Sequence, residues 1–151
     1  MENLIPNWAP GIHPLIIHFP IALLVMAVFA NLVEVILSKE WITKSRIWLY
    51  IFGTLSALAA VLSGREAADD ASPPFNAEMT LSNHSDMGHY TLYYFATFTL
   101  LQLIALRLGK ADNKSLKIIF LLLAVVGFYL LLQTGDLGAK LVYKYGVGVS
   151  Q

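Results

Sequence analysis

Residues 11–37 read GIHPLIIHFPIALLVMAVFANLVEVIL, and this stretch decides the class of the chain. It is apolar around its whole circumference rather than along one stripe, so it predicts a membrane span and not the surface helix of a soluble domain. The rest of the 151-residue chain agrees, because 57% of its residues are hydrophobic and 13% are charged. An ordinary soluble domain has about 25% charged residues. We therefore predict a membrane protein in contact with lipid.

Four apolar runs are long enough to cross a hydrocarbon core. They predict an all-α fold, a four-helix transmembrane up-and-down bundle that forms a single domain over residues 1–151. We expect helices at about 14–37, 47–64, 84–108 and 116–134, with an outer loop at 65–83 and an outer C-terminal segment at 135–151. The first residues carry no basic cluster or cleavage motif, so we expect no signal peptide and a retained first helix.

The basic residues are unevenly distributed between the two ends of this bundle. Seven fall in the first and third connections: Lys39, Lys44, Arg46, Arg107, Lys110, Lys114 and Lys117. The other end has three: Arg65, Lys140 and Lys144. Because the end richer in Lys and Arg stays cytoplasmic, we expect a multi-pass protein of the plasma (inner) membrane with both termini on the outer, periplasmic side. No basic stripe marks the exposed loops, so nucleic acid is not an expected partner.

All four histidines fall into two pairs with the same spacing, His13-x4-His18 and His84-x4-His89, each at the start of an apolar run. Five helical residues rotate a side chain by about 140°, so neither pair forms a clamp on one helix face. Ligands should therefore come from different helices. His18 and His89 lie deeper than their partners, on the first and third helices, which face each other diagonally across such a bundle.

Two facing imidazoles suit the axial ligation of a b-type haem, which then has no open position for a substrate. This favours an electron carrier over a stand-alone enzyme. We expect His18 and His89 as axial ligands, and Arg65 with the shallower His13 and His84 near the propionates. The alternative is a Cu or Zn site that uses the four imidazoles, with Glu66 or Asp69 as an optional further ligand. The chain has no cysteine, which excludes thiolate ligands and covalent c-type haem attachment.

The long outer loop at 65–83 lies on the histidine side and is expected to cover the site. Pro73 and Pro74 cannot continue a helix. Asn83 and Asp86 resemble a capping box that would place His84 in the first turn of the third helix. Glu34 and Asn31 are expected to face cytoplasmic water and receive no function. We find no internal repeat beyond the shared histidine spacing.

The opening GIHPLIIHFPIALL (residues 11–24) and the ending LVYKYGVGV (residues 141–149) resemble the bacterial "predicted membrane protein" family, domain of unknown function 2231. The resemblance covers essentially the whole chain. Members are similar in having four predicted helices and in being found joined to cytochrome c or Rieske modules, which implies a redox setting on the outer face. This chain carries no such module, so the resemblance implies a separate periplasmic cytochrome c or Rieske-type partner.

Together these expectations describe a membrane electron-transfer protein. It would bind a b-type haem between the first and third helices near the outer face and relay electrons between quinol and a periplasmic redox partner. The alternative is a non-catalytic accessory subunit, or a Cu- or Zn-binding module, of a larger membrane complex.

Overall fold

The computed structural model describes residues 11–71 and 73–148. Its elements are α1 (His13–Ile16), α2 (His18–Leu37), α3 (Glu40–Asp70), a 3-10 turn (Phe75–Ala77), α4 (Glu78–Arg107) and α5 (Lys114–Tyr143). Helices α1 and α2 form one long helix, His13–Leu37, interrupted at Ile17. The fold is therefore the predicted all-α bundle of four long helices.

The four long helices form a ring of neighbours. Helix α2 packs against α3 and α5, and α4 packs against the same two helices. Because successive helices alternate in direction, α2 and α4 run the same way and lie diagonally across the bundle. The core between them is rich in aromatic rings and contains Leu24, Ala27, Tyr50, Phe95, Phe98, Phe120 and Ala124. Large apolar side chains such as Phe29, Trp48 and Leu122 are exposed on the outside, where lipid would contact them.

Among the described residues, three helices are long and apolar enough to cross a membrane: His13–Leu37, Glu40–Asp70 and Lys114–Tyr143. The sequence predicted a fourth span in α4. Helix α4 is not among the three because its apolar stretch is interrupted by polar residues, including Thr91, Thr99 and Gln102, which are buried in the bundle interior. Its packing between α3 and α5 still makes it an integral part of the bundle.

The helices extend past the apolar runs from which they were predicted, so the expected outer loop at 65–83 is wrong. Helix α3 continues to Asp70 and α4 begins at Glu78, which leaves only residues 71–77 as the connection. Hydropathy marks where a helix leaves the apolar region, whereas a helix stops only where its backbone pattern is broken. Here Pro73 and Pro74 lie in the connection that follows α3. The site is therefore bordered by helical ends and not covered by a long loop.

The other predicted boundaries shift for the same reason. Helix α3 begins at Glu40 rather than near 47, and α5 runs from Lys114 to Tyr143 rather than 116–134, so residues 135–143 are helical. Asn113 caps α5, because its Oδ1 accepts a hydrogen bond from the Leu116 amide at 3.1 Å. Asn83, the expected cap of the third helix, lies inside α4 instead. The expected outer position of the chain ends concerns residues 1–10 and 149–151, which lie outside the described residues.

The interruption at Ile17 follows from Pro20. Proline has no amide N–H, so the carbonyl of Ile16 loses the partner that a regular helix would give it. The Ile21 amide reaches the carbonyl of Ile17 at 3.4 Å, and α2 is regular from there on. The break separates the turn that carries His13 from the membrane helix that follows.

The buried positions show an internal repeat that the sequence analysis missed. All five buried residues of α2 have buried counterparts in α4 exactly 71 positions later: Pro20 and Thr91, Leu24 and Phe95, Ala27 and Phe98, Asn31 and Gln102, Glu34 and Ala105. Helices α3 and α5 show the same relation at 74 positions: Thr43 and Lys117, Arg46 and Phe120, Tyr50 and Ala124, Gly53 and Gly127. Since α2 and α4 are parallel, this register indicates two helical hairpins related by an approximate two-fold axis along the bundle.

Candidate cofactor site at the histidine end

The starts of α1 and α4 and the ends of α3 and α5 meet at one end of the bundle, which we call the histidine end. The 71-residue offset makes His13 equivalent to His84, and His18 equivalent to His89. The first pair is partly buried between helices, whereas His18 is exposed on the outside of the bundle. His89 is partly buried as well, so burial alone does not separate the two pairs, whereas the partners of their ring nitrogens do.

His13 is oriented by the last turns of α3. Its Nδ1 lies 3.0 Å from the hydroxyl oxygen of Ser63. That hydroxyl donates its single proton to the carbonyl of Ala60, at 3.1 Å, so it accepts from His13. In the neutral imidazole this arrangement puts the proton on Nδ1 and leaves the lone pair of Nε2 available. The His13 Nε2 makes no hydrogen bond to any residue in ranges 11–71 and 73–148.

His84 is held in the same way by α5. Its Nδ1 lies 3.0 Å from the backbone carbonyl of Thr134, an oxygen that can only accept. Nδ1 therefore carries the proton and Nε2 keeps its lone pair, again without a hydrogen bond to the described part of the chain. Metal-binding histidines use this pattern, because a carbonyl or hydroxyl on one ring nitrogen fixes the tautomer and directs the other nitrogen to the metal.

Two equivalent glycines give the imidazoles their space. A Cβ atom built on Gly64 would lie 3.0 Å from Cε1 of His13, and one built on Gly138 would lie 3.0 Å from Cε1 of His84. Each ring thus packs directly on the backbone of the neighbouring helix, where any larger residue would push it away. Gly64 and Gly138 are themselves related by the 74-residue offset of α3 and α5. Both halves of the repeat therefore contain the same ring cradle, by which we mean a histidine ring together with the glycine that it contacts on the neighbouring helix.

The two cradled rings lie at the same end of the bundle, on helices that run the same way and are related by the repeat. Both rings are also partly shielded from solvent. Two equivalent imidazoles on diagonal helices, each with its Nδ1 hydrogen-bonded to a protein oxygen, are the candidate ligands for a cofactor at this end.

The deeper pair, His18 and His89, has different hydrogen bonds and exposure. His89 places Nδ1 2.7 Å from the carbonyl of Ser85, and its Nε2 accepts a hydrogen bond from Nη2 of Arg65 at 2.8 Å. Both of its ring nitrogens are therefore engaged. His18 has an exposed side chain and no hydrogen bond from its ring to another described residue. The expected meeting of His18 and His89 inside the bundle does not occur in this arrangement.

Glu66 and Asp69, considered as additional metal ligands, lie on the last turns of α3 and are exposed. Over the described residues, no group of three or more His, Asp or Glu side chains is close enough together to hold a metal ion. In the described part of the chain the four imidazoles therefore do not come together in one cluster.

A comparison with protein families gives one match. The family described as "Predicted membrane protein (DUF2231)" matches residues 9–151. The chain belongs to this DUF2231 family. The match includes all four helices of the bundle and all four histidines, and it agrees with the membrane character of the fold. No curated protein and no solved structure matches the chain.

Sequence reasoning about this DUF2231 chain found the four histidines but not the residues that orient them. Ser63, Gly64, Thr134 and Gly138 lie far from the histidines along the chain, at the ends of other helices. One feature of the sequence, its internal repeat, could have pointed to these residues. The 71-residue offset between histidine pairs and the 74-residue offset between glycines both follow from one internal repeat, and a comparison of the two halves would have paired them.

Proposed function

We propose that the chain is a membrane electron-transfer protein that binds a single b-type haem at the histidine end, with His13 and His84 as axial ligands. One observation supports this most strongly. Two symmetry-equivalent imidazoles have Nδ1 held by protein oxygens and Nε2 free. A haem needs two protein ligands of this kind, because the porphyrin supplies the other four.

These ligands differ from the pair that depth along the helices alone predicts. His18 and His89 were favoured because they lie further along their helices, but exposure of His18 and the Arg65 contact of His89 make them poor ligands. Arg65 and His89 instead form a cationic and hydrogen-bonding group beside the cradled pair. Such groups stabilise carboxylates by charge-assisted hydrogen bonds, so they are suited to the haem propionates.

Haem with two protein ligands supplies reversible one-electron transfer and leaves no position for substrate. The residues of the chain would hold and orient the group, exclude lipid from it and set the charge around it. We propose that the electrons pass between membrane quinol and a periplasmic cytochrome c or Rieske-type protein. The histidine end would then face the outside of the plasma (inner) membrane, and four membrane-spanning helices would carry it.

The second candidate is a Cu- or Zn-binding module or an accessory subunit of a larger membrane complex. It is less well supported because a two-imidazole donor set leaves a tetrahedral metal short of protein ligands.

An optical spectrum and metal analysis of the purified protein separate the two candidates. The haem proposal predicts a Soret band and a reducible α-band, with one haem per chain. Stoichiometric copper or zinc without these bands would replace it with the second candidate. Protein isolated from haem-supplied cells with neither haem nor metal would contradict the haem proposal and the metal-binding module, and would leave the accessory subunit.

A further inference from the structure

The charged side chains buried at the end of the bundle opposite the histidines are paired. Glu34 places Oε2 2.6 Å from Nε of Arg46. Nζ of Lys117 lies 3.3 Å from Oδ1 of Asp112, whose side chain is on the water side. Asn31 and Glu34 are each at most 2% exposed, so the expectation that they face cytoplasmic water is wrong. The pairs compensate the charges of this interior, and space for a further ligand is found on the outside of the bundle instead.

A groove with a volume of about 240 Å³ lies on the outside of the bundle, where α3 packs against α4. We call it the α3–α4 groove. It is lined by residues of 51–55 on α3 and of 96–103 on α4, and its surface is almost entirely apolar. Two of the lining residues, Leu55 and Leu100, are each 57% exposed. The groove therefore opens toward the surroundings of the bundle and not into its core.

The groove lies at the level of the hydrocarbon core of the membrane. On α3 its lining residues fall between Lys44 and Arg65, two exposed cations that are 21 positions apart. A helix of that length rises about 30 Å, which matches the thickness of a hydrocarbon core. Ile51 follows Lys44 by seven positions and Leu55 precedes Arg65 by ten, so each end of the groove is about 10–15 Å from the nearer cation. Only molecules that enter the hydrocarbon core reach it.

The two threonines in the lining use their hydroxyl protons between the helices. Thr54 Oγ1 donates to the carbonyl of Phe95 at 3.5 Å, and the hydroxyl oxygens of Thr54 and Thr99 are 3.0 Å apart. With the proton of Thr54 on that carbonyl, Thr99 donates to Thr54. The groove therefore offers a ligand apolar contact rather than a hydrogen-bond donor. This suits a hydrocarbon chain and not the carbonyl groups of a quinone ring.

The internal repeat supplies an equivalent position for comparison, where α5 packs against α2, which we call the α2–α5 seam. The offsets of 74 and 71 positions pair each lining residue with one residue there. Four lining residues have larger counterparts in the seam: Thr54 and Phe128, Leu55 and Tyr129, Ala96 and Val25, Leu100 and Phe29. The other three pairs differ little in size. The groove is therefore a property of the side chains on one side of the bundle and not of helix packing in general.

We propose that the α3–α4 groove binds one acyl chain of a membrane phospholipid. The groove is continuous with the apolar outer surface of the bundle, which includes the exposed Phe52 and Ile104, and lipid chains surround this surface. No hydrophobic force acts between apolar surfaces in lipid, so van der Waals contact holds the chain. An unfilled groove would lose the contacts of its lining atoms. Ala96 provides the space, because its side chain is a single methyl group.

The test is photo-crosslinking of the protein in phosphatidylcholine vesicles that contain a small proportion of phosphatidylcholine with a diazirine on its acyl chain, at the depth of the groove. Mass spectrometry of the peptides locates the label. We expect several-fold more label on the lining residues of α3 and α4 than on the α2–α5 seam. Ala96→Phe should fill the groove and lower its labelling to the level of the seam. Because Ala96 is exposed, the larger ring leaves the interior of the bundle undisturbed.

Val25→Phe is the matched control, because Val25 is the counterpart of Ala96 in the α2–α5 seam. It should keep the wild-type labelling of the groove. Equal labelling of groove and seam in the wild type would overturn the proposal, and so would unchanged labelling in Ala96→Phe. The chain has no cysteine, so Ala96→Cys carries a single thiol. A disulfide-linked dimer of this variant in vesicles would place a second copy in the groove instead of lipid. None of these results depends on whether the histidine end binds haem.

Discussion

At the scale of single residues, the neighbours of an imidazole decide its role more than its depth in the membrane does. His18 and His89 were expected to ligate because each lies five residues further along its helix. The structure gives Nδ1 of His13 and of His84 an oxygen acceptor and leaves Nε2 free, whereas Arg65 engages Nε2 of His89. These partners come from other helices, so no spacing within one helix could reveal them.

Replacing Ser63 with Ala tests the orientation of His13. The change removes the oxygen that accepts from Nδ1 while keeping the imidazole itself. Loss of such an outer partner typically weakens a metal site by about 10–100-fold, so the apparent haem affinity should fall within this range. Haem titration into apoprotein measures it. Ser56→Ala removes an exposed hydroxyl of the same helix and should leave the affinity unchanged. Equal affinities of Ser63→Ala and wild type would argue against His13 as a ligand.

Replacing Arg65 with Gln tests the charge beside the site. Arg65 bonds to His89 and is the cation at this position of the histidine end. Removing a positive charge near a haem disfavours the added electron, so a redox titration should show a lower midpoint potential with haem content retained. Lys144→Gln, further along the chain after α5, is the control and should have a smaller effect. Indistinguishable potentials of Arg65→Gln and wild type would exclude Arg65 as a propionate partner.

At the scale of helices, apolar runs predicted which segments are helical but not where the helices end. Helices α3 and α4 carry polar residues such as Glu66 and Asn83 beyond the apolar region without a break, and only the connection 71–77, which contains Pro73 and Pro74, separates them. Prediction from hydropathy therefore assigned the end of α3 and the start of α4 to a loop. The last turns of α3 contain Gly64 and those of α5 contain Gly138, and the role of each glycine depends on the histidine that it contacts.

Two glycines on α5 give a matched pair of substitutions. Gly138→Ala places a methyl group 3.0 Å from Cε1 of His84 and should displace the ring and reduce haem content. Gly135 has no heavy atom near the equivalent position, and as an exposed helical glycine its change to Ala should stabilise the protein by roughly 1 kcal/mol. Haem content and thermal unfolding of the two variants measure both effects. Full haem content in Gly138→Ala would mean that the cradle does not position His84.

At the scale of the whole molecule, composition and the length of the apolar runs were enough to predict the fold class. They did not reveal the repeat of the two helical hairpins. Its two halves share few identical residues, because what they preserve is the register of buried positions, such as Asn31 with Gln102. Burial is visible only in the folded bundle. Arg46 and Lys117, which were expected in the connections, are also buried in the interior of the bundle. Without these two, five cations remain at one end against three at the other, so the bias is weaker but keeps its sign.

The remaining charge bias predicts the orientation of the bundle. A reporter that is active only outside the cytoplasm should be active when inserted after Ala71 or fused after Gln151. It should be inactive when inserted after Lys39 or Asp112. Comparable expression of all fusions is the control. The reverse pattern of activity would place the histidine end in the cytoplasm and remove the basis for a periplasmic partner.

The most direct test of the central claim is the haem content of four variants prepared in parallel: His13→Ala, His84→Ala, His18→Ala and His89→Ala. With His13 and His84 as axial ligands, the first two should lose the six-coordinate haem spectrum. His18→Ala and His89→Ala should keep about one haem per chain, with a changed potential in His89→Ala, where the Arg65 contact is lost. Retention of haem in His13→Ala and His84→Ala, with its loss in His18→Ala and His89→Ala, would contradict the account.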